Sequence, residues 1–195
     1  MTKVLLQWEL LAALVLVIAL IYGQTFTHPF VLDDFYCIVE NPGIHRLWPL
    51  TTALNPPPRD LTFFTRPFIN LTMCVDYAIG GPSPHSYRRT NMLLHMAAAL
   101  SLFALACRSL YVSGYDMLAA RKIGFGAALL WAVHPLNTTA VNYLSQRGEL
   151  CVGLFLFLML YALNRAVAGI NPAPSWLPLS FLACLLGMGS KESMA

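Results

Sequence analysis

Two adjacent carboxylates, Asp33 and Asp34, stand out as side chains that could do chemistry. They follow closely on an apolar run from Val4 to Tyr22 that is long enough to cross a bilayer. Two neighbouring negative charges repel each other, and the repulsion is costly beside low-dielectric lipid. Such a pair suits a site that needs a general base, a metal ligand or a partner for a cation. The alternative is a helix cap or a solvated turn, where Asp is also common.

The composition is that of a membrane protein. Hydrophobic residues make up 57% of the 195 residues and charged residues only 11%, with a mean hydropathy of +0.61, whereas soluble domains carry about 25% charged residues. The net charge of +3 comes from scattered basic residues, and no basic stripe with interleaved aromatic residues favours nucleic acid. The sequence therefore predicts an all-α, polytopic transmembrane bundle with no nucleic-acid partner.

Five apolar segments predict five membrane spans. Their approximate ranges are 4–22, 91–112, 123–136, 149–163 and 176–188. Between the first two lies a polar loop, 24–87, which is predicted to be external and to carry interfacial helices. Unstructured loops longer than about 12–15 residues are usually functional or disordered, so we expect this loop to contribute to function.

The second half of the loop has the pattern of an amphipathic helix. Pro67 suits its first turn, and Gly80 and Gly81 are expected to end it. The apolar residues predicted to share one face are Phe68, Leu71, Val75 and Ala78. Such a helix can lie flat in the membrane interface or pack against the bundle.

Basic residues in the short connections predict the orientation. If all five segments span the membrane, these cations fall on one side, which the positive-inside rule makes cytoplasmic. They are Lys3, Arg108, Arg121, Lys122 and Arg165. Three polar clusters then share the other side: the Asp33-Asp34 loop, the 146–149 turn and the 190–192 turn. Together they predict a catalytic or binding face at the membrane surface.

These clusters combine acids with cations. A carboxylate can take a proton from a hydroxyl, whereas Arg holds a phosphate through a bidentate fork and Lys holds it as a point charge. The combination suits a reaction between a lipid-borne phosphate ester and a polar acceptor. Residue types and spacing do not identify the sugar, the acceptor or the direction of transfer.

His95 lies one turn inside the second segment. A lone His at such a position is more often an interior residue than a ligand. Polar groups within a span are nevertheless costly enough to suggest a role, so His95 is kept as a candidate substrate-binding residue.

Short motifs spread over nearly the whole chain occur in an order found in one family of membrane enzymes. They are Leu32-Asp33-Asp34-Phe35-Tyr36, Asn41-Pro42, Arg66-Pro67-Phe68-Ile69-Asn70-Leu71, Asp76-Tyr77, Tyr87 with Asn91 and His95, His134-Pro135 with Ala140-Val141, Gln146-Arg147-Gly148-Glu149-Leu150, Leu186-Gly187-Met188 and Ser190-Lys191-Glu192. In these motifs the chain resembles the N-terminal part of membrane glycosyltransferases of the GT-C architecture, specifically the protein O-mannosyltransferases that carry tetratricopeptide repeats. Two places depart from the family pattern: Arg88 stands where a His is usual, and Asn137 begins a stretch where an acid is usual.

The resemblance implies transfer of a sugar, typically mannose, from a polyprenyl-phosphate donor to Ser or Thr hydroxyls of an acceptor protein. It implies that Asp33 is the base that deprotonates the hydroxyl. Asp34 would support it, by orienting Asp33 or by helping to bind a divalent metal ion. No other cofactor is implied.

The leaving lipid phosphate needs preorganised cations, and the expected ones are Arg66, Arg147 and Lys191. Their alternative roles are a helix-start contact for Arg66 and membrane anchoring for the other two. Glu149 and Glu192 are expected to orient these cations by ion pairing.

Family members continue through further spans and a soluble repeat domain, so we expect this chain to be an N-terminal part that is inactive alone. The expected location is a bacterial inner membrane or the endoplasmic reticulum membrane. An inactive fragment, a non-catalytic membrane subunit and a transporter half remain alternatives. A transporter would show mid-span ionisable residues and inverted repeats, whereas here the charges lie at segment ends and no repeat is visible.

Overall fold

The computed structural model describes residues 2–54, 66–168 and 172–194. Within these ranges the chain forms eight α-helices and no strand, which confirms the all-α prediction. The helices are α1 (Thr2–Tyr22), α2 (Leu50–Leu54), α3 (Pro67–Gly80), α4 (Pro84–Val112), α5 (Met117–Ala132), α6 (Asn137–Asn142), α7 (Arg147–Val167) and α8 (Leu177–Met188). Short 3₁₀ turns and one π turn, Phe35–Val39, connect some of them.

Three helical stretches in the described ranges are long and apolar enough to cross a membrane. They are Gln7–Thr27, Pro84–Val112 and Leu144–Val167. Helix α5 has 16 residues, which at about 1.5 Å per residue is shorter than the roughly 30 Å hydrocarbon core, and α8 is shorter still. Five spans therefore remain a prediction.

The ends of α4 and α5 differ from the predicted segments because capping residues lie outside the apolar runs. Pro84 occupies the first turn of α4, a position that needs no backbone N–H. Asp116 caps α5, its carboxylate accepting hydrogen bonds from the N–H groups of Leu118 (2.9 Å) and Ala119 (3.1 Å). Both helices thus begin earlier than the hydrophobic pattern indicates.

Helix α3 confirms the predicted helix in the long loop, and Gly81 ends it in the left-handed region (φ +60°). The predicted apolar face is only partly covered: Phe68 and Leu71 pack against the core. Val75 is 38% exposed and Ala78 is also exposed. The residues that α3 buries are Ile69, Asn70, Met73, Cys74 and Asp76. Apolar side chains occur on several sides of α3, so their spacing could not show that the side carrying Asp76 packs inward.

Helix α4 lies between two packed clusters. On one side, Leu14, Ile18, Phe103 and Ala128 join it to α1 and α5. The second cluster packs α4 and α7 against α3 and the first loop, and includes Ile38, Ile44, Ile69, Met73, Tyr87 and Phe155. Large apolar residues such as Leu20, Leu93, Leu130 and Phe181 remain exposed, as expected for helices whose outer surface meets lipid. The fold therefore holds the long loop against the helix ends where the polar motifs lie.

Candidate functional site at one end of the bundle

The three polar clusters meet at one end of the bundle. The backbone N–H of Ser145 donates to Asp34 Oδ1 (3.0 Å), which joins the acidic loop to the turn before α7. A Cβ on Gly148 would lie 3.2 Å from the Ser190 carbonyl oxygen, so the α7 start and the C-terminal turn are in close contact. The predicted shared polar face therefore exists in the fold.

The two adjacent acids have different environments. Asp34 is fully buried, and its two oxygens accept hydrogen bonds from the backbone N–H groups of Val31 (3.2 Å) and Ser145 (3.0 Å). Burial raises the pKa of Asp34, while those hydrogen bonds and the charge of Arg88 act in the opposite direction. Asp33 is exposed. Of the pair, only Asp33 presents its side chain to solvent.

Tyr143 lies beside Asp33. Its hydroxyl accepts a hydrogen bond from the Asp33 backbone N–H (3.2 Å), and it also interacts with the Asp33 carboxylate. Partial burial raises the pKa of the Tyr143 hydroxyl, and the Asp33 side chain raises it further. The hydroxyl therefore stays protonated and can donate to the carboxylate. The sequence motifs did not single out this residue.

Arg88 holds the acidic segment in place. Its side chain is buried and donates to three backbone carbonyls: His28 (Nε, 3.2 Å), Pro29 (Nη2, 2.6 Å) and Asn142 (Nη1, 2.9 Å). The guanidinium thus ties the start of the first loop to the end of α6. The sequence marked Arg88 only as a departure from the family pattern, and the structure shows it bridging two distant segments.

Arg147 lies in the interior, fully buried. It forms an ion pair with Asp76 (Nη2 to Oδ2, 2.5 Å) and donates to Asn91 Oδ1 (Nε, 2.7 Å), Thr72 Oγ1 (Nη1, 3.2 Å) and the Tyr87 carbonyl (Nη2, 3.1 Å). These partners come from α3 and α4. Each guanidinium nitrogen therefore already has a partner, and the side chain ties α7 to both helices. The prediction that it binds phosphate competes with this structural role.

Lys191 and Glu149 form an ion pair across two turns, and both side chains are partly exposed. Glu149 was expected to orient a cation, and it pairs with Lys191 rather than with Arg147. Glu192 begins a short 3₁₀ turn, and its side chain lies outside the described part. Lys191 is thus the cation of the 190–192 turn that the structure places at the surface.

Arg66 precedes α3 and is half-buried. Two residues on, the Phe68 N–H donates to the Gly189 carbonyl (3.2 Å), which brings the start of α3 against the turn that carries Lys191. The predicted cations thus divide into two groups. Arg66 and Lys191 lie on neighbouring turns, whereas Arg147 lies inside.

His95 is fully buried between α1 and α5. Its Nε2 lies 3.0 Å from the Ala132 carbonyl, its ring stacks on Trp131 (centroids 5.1 Å apart), and Tyr22 packs against it edge-on. None of these neighbours belongs to the polar face. The structure gives His95 an interior role and does not bring it to the other candidate residues.

The acid pair does not form a metal site by itself. Both Asp34 oxygens are taken by backbone N–H groups, and in the described ranges no three His, Cys, Asp or Glu side chains converge. Divalent oxygen-binding metals take about six or more ligands. In the described ranges these side chains therefore form no closed cage of protein ligands around a divalent ion.

The fold and the site together define a class: a helical membrane protein with an exposed carboxylate and a surface ion pair at one end of its bundle. The chain is 27% identical over 194 residues to protein O-mannosyl-transferase TMTC1 of Homo sapiens, covering 89% of this chain and 21% of the relative. It is 26% identical to human protein O-mannosyl-transferase TMTC3, over 89% of this chain and 19% of the relative. It is 30% identical to human TMTC2, over 69% of this chain and 13% of that protein.

The chain is thus similar to protein O-mannosyl-transferases over most of its own length, which confirms the resemblance carried by its motifs. It spans about a fifth of the length of the first two relatives. No family model matches the chain, and no solved structure matches it.

Proposed function

We propose that this chain forms the polar face of a membrane glycosyltransferase that moves a sugar, in this family mannose, from a polyprenyl-phosphate donor to Ser or Thr hydroxyls of an acceptor protein. The observation that carries the proposal is the contrast between the two acids. Asp34 is buried with both oxygens occupied, whereas Asp33 is exposed beside Tyr143. Asp34 anchors the loop and leaves Asp33 available for catalysis.

In this mechanism Asp33 accepts the proton of the acceptor hydroxyl. The hydroxyl oxygen forms a bond to the anomeric carbon of the sugar, and the bond from that carbon to the phosphate oxygen breaks. The polyprenyl phosphate leaves with the electron pair and the negative charge. A carboxylate within hydrogen-bond reach of a hydroxyl typically contributes about 10²–10⁴-fold as a general base. The Tyr143 hydroxyl, a donor to the same carboxylate, orients it.

The leaving phosphate needs nearby positive charge. We assign that role to Lys191 and Arg66, because they lie on adjoining turns and Lys191 reaches the surface. Glu149 holds Lys191 until the phosphate arrives. Arg147 is assigned a positioning role, since its ion pair with Asp76 fixes the start of α7 from which Glu149 projects.

The proposed donor is a membrane lipid, so the active face lies at a membrane surface. The membrane would be a bacterial inner membrane or that of the endoplasmic reticulum. The exposed apolar residues Val75 and Ile79 on α3 support contact with lipid or with the prenyl chain at this end of the bundle.

The test is Asp33→Asn in the protein expressed from its own gene, in membranes supplied with polyprenyl-phosphate mannose and a Ser/Thr acceptor peptide. Asn is nearly isosteric but cannot take the proton, so we expect transfer to fall by at least about 10²-fold while the protein remains in the membrane. Glu40→Gln, which neutralises another exposed acid of the same loop, is the matched control and should transfer normally. Undiminished transfer by Asp33→Asn would remove the assigned base.

A further inference from the structure

A cavity of about 430 Å³ opens between α1, α4, α5 and α7, away from the acidic site. Its lining includes Gln7, Leu100, Phe103, Arg108, Arg121 and Arg165. This volume is within the roughly 300–1,000 Å³ typical of small-molecule sites. None of the residues assigned to glycosyl transfer lines it.

The cavity lies toward the opposite end of α4 from the acidic loop. Arg88, which holds the acidic loop, and Arg108, which lines the cavity, are both on α4. At roughly 1.5 Å per residue they are about 30 Å apart along the helix, close to the thickness of the hydrocarbon core of a bilayer. A ligand in this cavity would be at the depth of the opposite lipid headgroups.

Three arginines converge on the cavity. Arg108 donates to the Ala168 carbonyl (2.8 Å), Arg121 donates to Gln7 Oε1 (2.9 Å), and Arg165 lies over the Trp176 ring (5.3 Å). Among the described residues, no carboxylate lines the cavity. Three like charges that face one space repel each other, and an anion between them would relieve that repulsion.

Two of these arginines retain donor capacity. The Nε atoms of Arg108 and Arg165 are buried, and neither has a hydrogen-bond partner in the part of the chain that the structure describes. Buried donors are usually satisfied by protein, water or ligand. Arginine forks match the oxygens of a phosphate in geometry as well as in charge.

The rest of the lining is apolar. Leu100 and Phe103 precede Arg108 on α4 by one to two turns, so they lie deeper toward the middle of the bundle, and Leu11 of α1 also lines the cavity. The cavity thus has a cationic rim at the membrane surface and a hydrophobic wall below it. The alternative is that the three arginines only anchor their helices in the membrane interface. That role would not require them to line the same cavity.

We propose that this cavity binds the phosphate group of an anionic phospholipid, with the arginines around the phosphate and an acyl chain along Leu11, Leu100 and Phe103. The hydrophobic wall favours a lipid over free phosphate, although both share the phosphate chemistry. The site is separate from the proposed glycosyl-transfer face and does not depend on it.

The test is lipid titration of the purified full chain in neutral detergent, followed by native mass spectrometry. Phosphatidylglycerol, phosphatidylcholine and inorganic phosphate are the three probes. We expect phosphatidylglycerol to bind at least about tenfold more tightly than phosphatidylcholine, whose choline cation the arginines repel, and to bind more tightly than inorganic phosphate. Arg108→Gln and Arg165→Gln should each weaken phosphatidylglycerol binding about ten- to a hundredfold, the range for one charged hydrogen bond.

Lys122→Gln is the matched control, because Lys122 is exposed at the same end of α5 and does not line the cavity. It should bind phosphatidylglycerol as the unmodified chain does. Equal binding of the two phospholipids, equal binding of inorganic phosphate, or an equal loss in Lys122→Gln would overturn the proposal. The comparison of the three probes on the unmodified chain needs no variant, so it decides the question even if an arginine variant does not fold.

Discussion

The buried ion pair between Arg147 and Asp76 provides a direct test of whether Arg147 has a structural role. Replacing Arg147 with Met keeps much of the volume but leaves the Asp76 carboxylate buried. The Thr90 hydroxyl would still donate to Asp76 Oδ1 (2.5 Å). The Asn91 side chain, Thr72 hydroxyl and Tyr87 carbonyl lose a partner as well. Removing one member of a buried ion pair typically costs about 3–5 kcal/mol, a large fraction of the roughly 5–15 kcal/mol that stabilises a typical protein.

The interaction free energy between Arg147 and Asp76 can be measured by a double-mutant cycle, with unfolding followed in mixed detergent micelles. Asp76→Asn removes the other charge, and the double variant Arg147→Met with Asp76→Asn should be more stable than the sum of the single losses predicts, with a coupling of up to about 3 kcal/mol. Arg147→Lys should restore only part of the stability, since a single ammonium group cannot reach the four partners that the guanidinium fork reaches. This variant also keeps the test usable if Arg147→Met does not fold.

Lys191→Ala is the control for charge removal at the same end of the bundle. Its ion pair with Glu149 is partly exposed, and exposed pairs contribute about 0–1 kcal/mol. If Arg147→Met unfolds at the same denaturant concentration as the unmodified protein, while its transfer rate responds abnormally to donor concentration, the structural role is refuted and Arg147 is a phosphate ligand.

Three further predictions concern the acidic loop and the topology. In Arg88→Lys, the lysine can replace few of the three hydrogen bonds that Arg88 donates to backbone carbonyls. Amide hydrogens of residues 28–36 should therefore exchange faster, while those of α5 should exchange at the same rate as before. Unchanged exchange at residues 28–36 would show that Arg88 does not hold the loop. Burial raises the pKa of Asp34 above its unfolded value of about 3.9, so its contribution to stability is present below about pH 4 and lost as the pH rises through the folded pKa. Unfolding of Asp34→Asn should lack that slope, and an identical pH profile would contradict it. With five spans and a cytoplasmic N-terminus, a thiol probe should label Ser83→Cys from the external side, and labelling from the cytoplasmic side alone would reverse the topology.

Much of the fold follows from local sequence patterns. The long apolar runs predict α1, α4 and α7, because only a helix satisfies its backbone hydrogen bonds within one segment in lipid. Pro67 and Gly81 mark the two ends of α3 through their backbone preferences. The alternation of polar and apolar segments also predicts that the three polar clusters share one end. The hydrogen bond from Ser145 to Asp34 joins two of them, and the close approach of Gly148 to the Ser190 carbonyl joins the third.

The tertiary structure decided which polar residues are buried and which remain available. Asp33 and Asp34 are adjacent and chemically identical, yet only Asp34 receives the Ser145 N–H from a segment more than a hundred residues away. Arg147 and Lys191 likewise looked equivalent, and the contacts of Arg147 with α3 and α4 distinguish them. Sequence spacing sets which residues share a helix face. The cost of burying a charge is met only by partners that folding brings from elsewhere in the chain, so no local pattern could have told these residues apart.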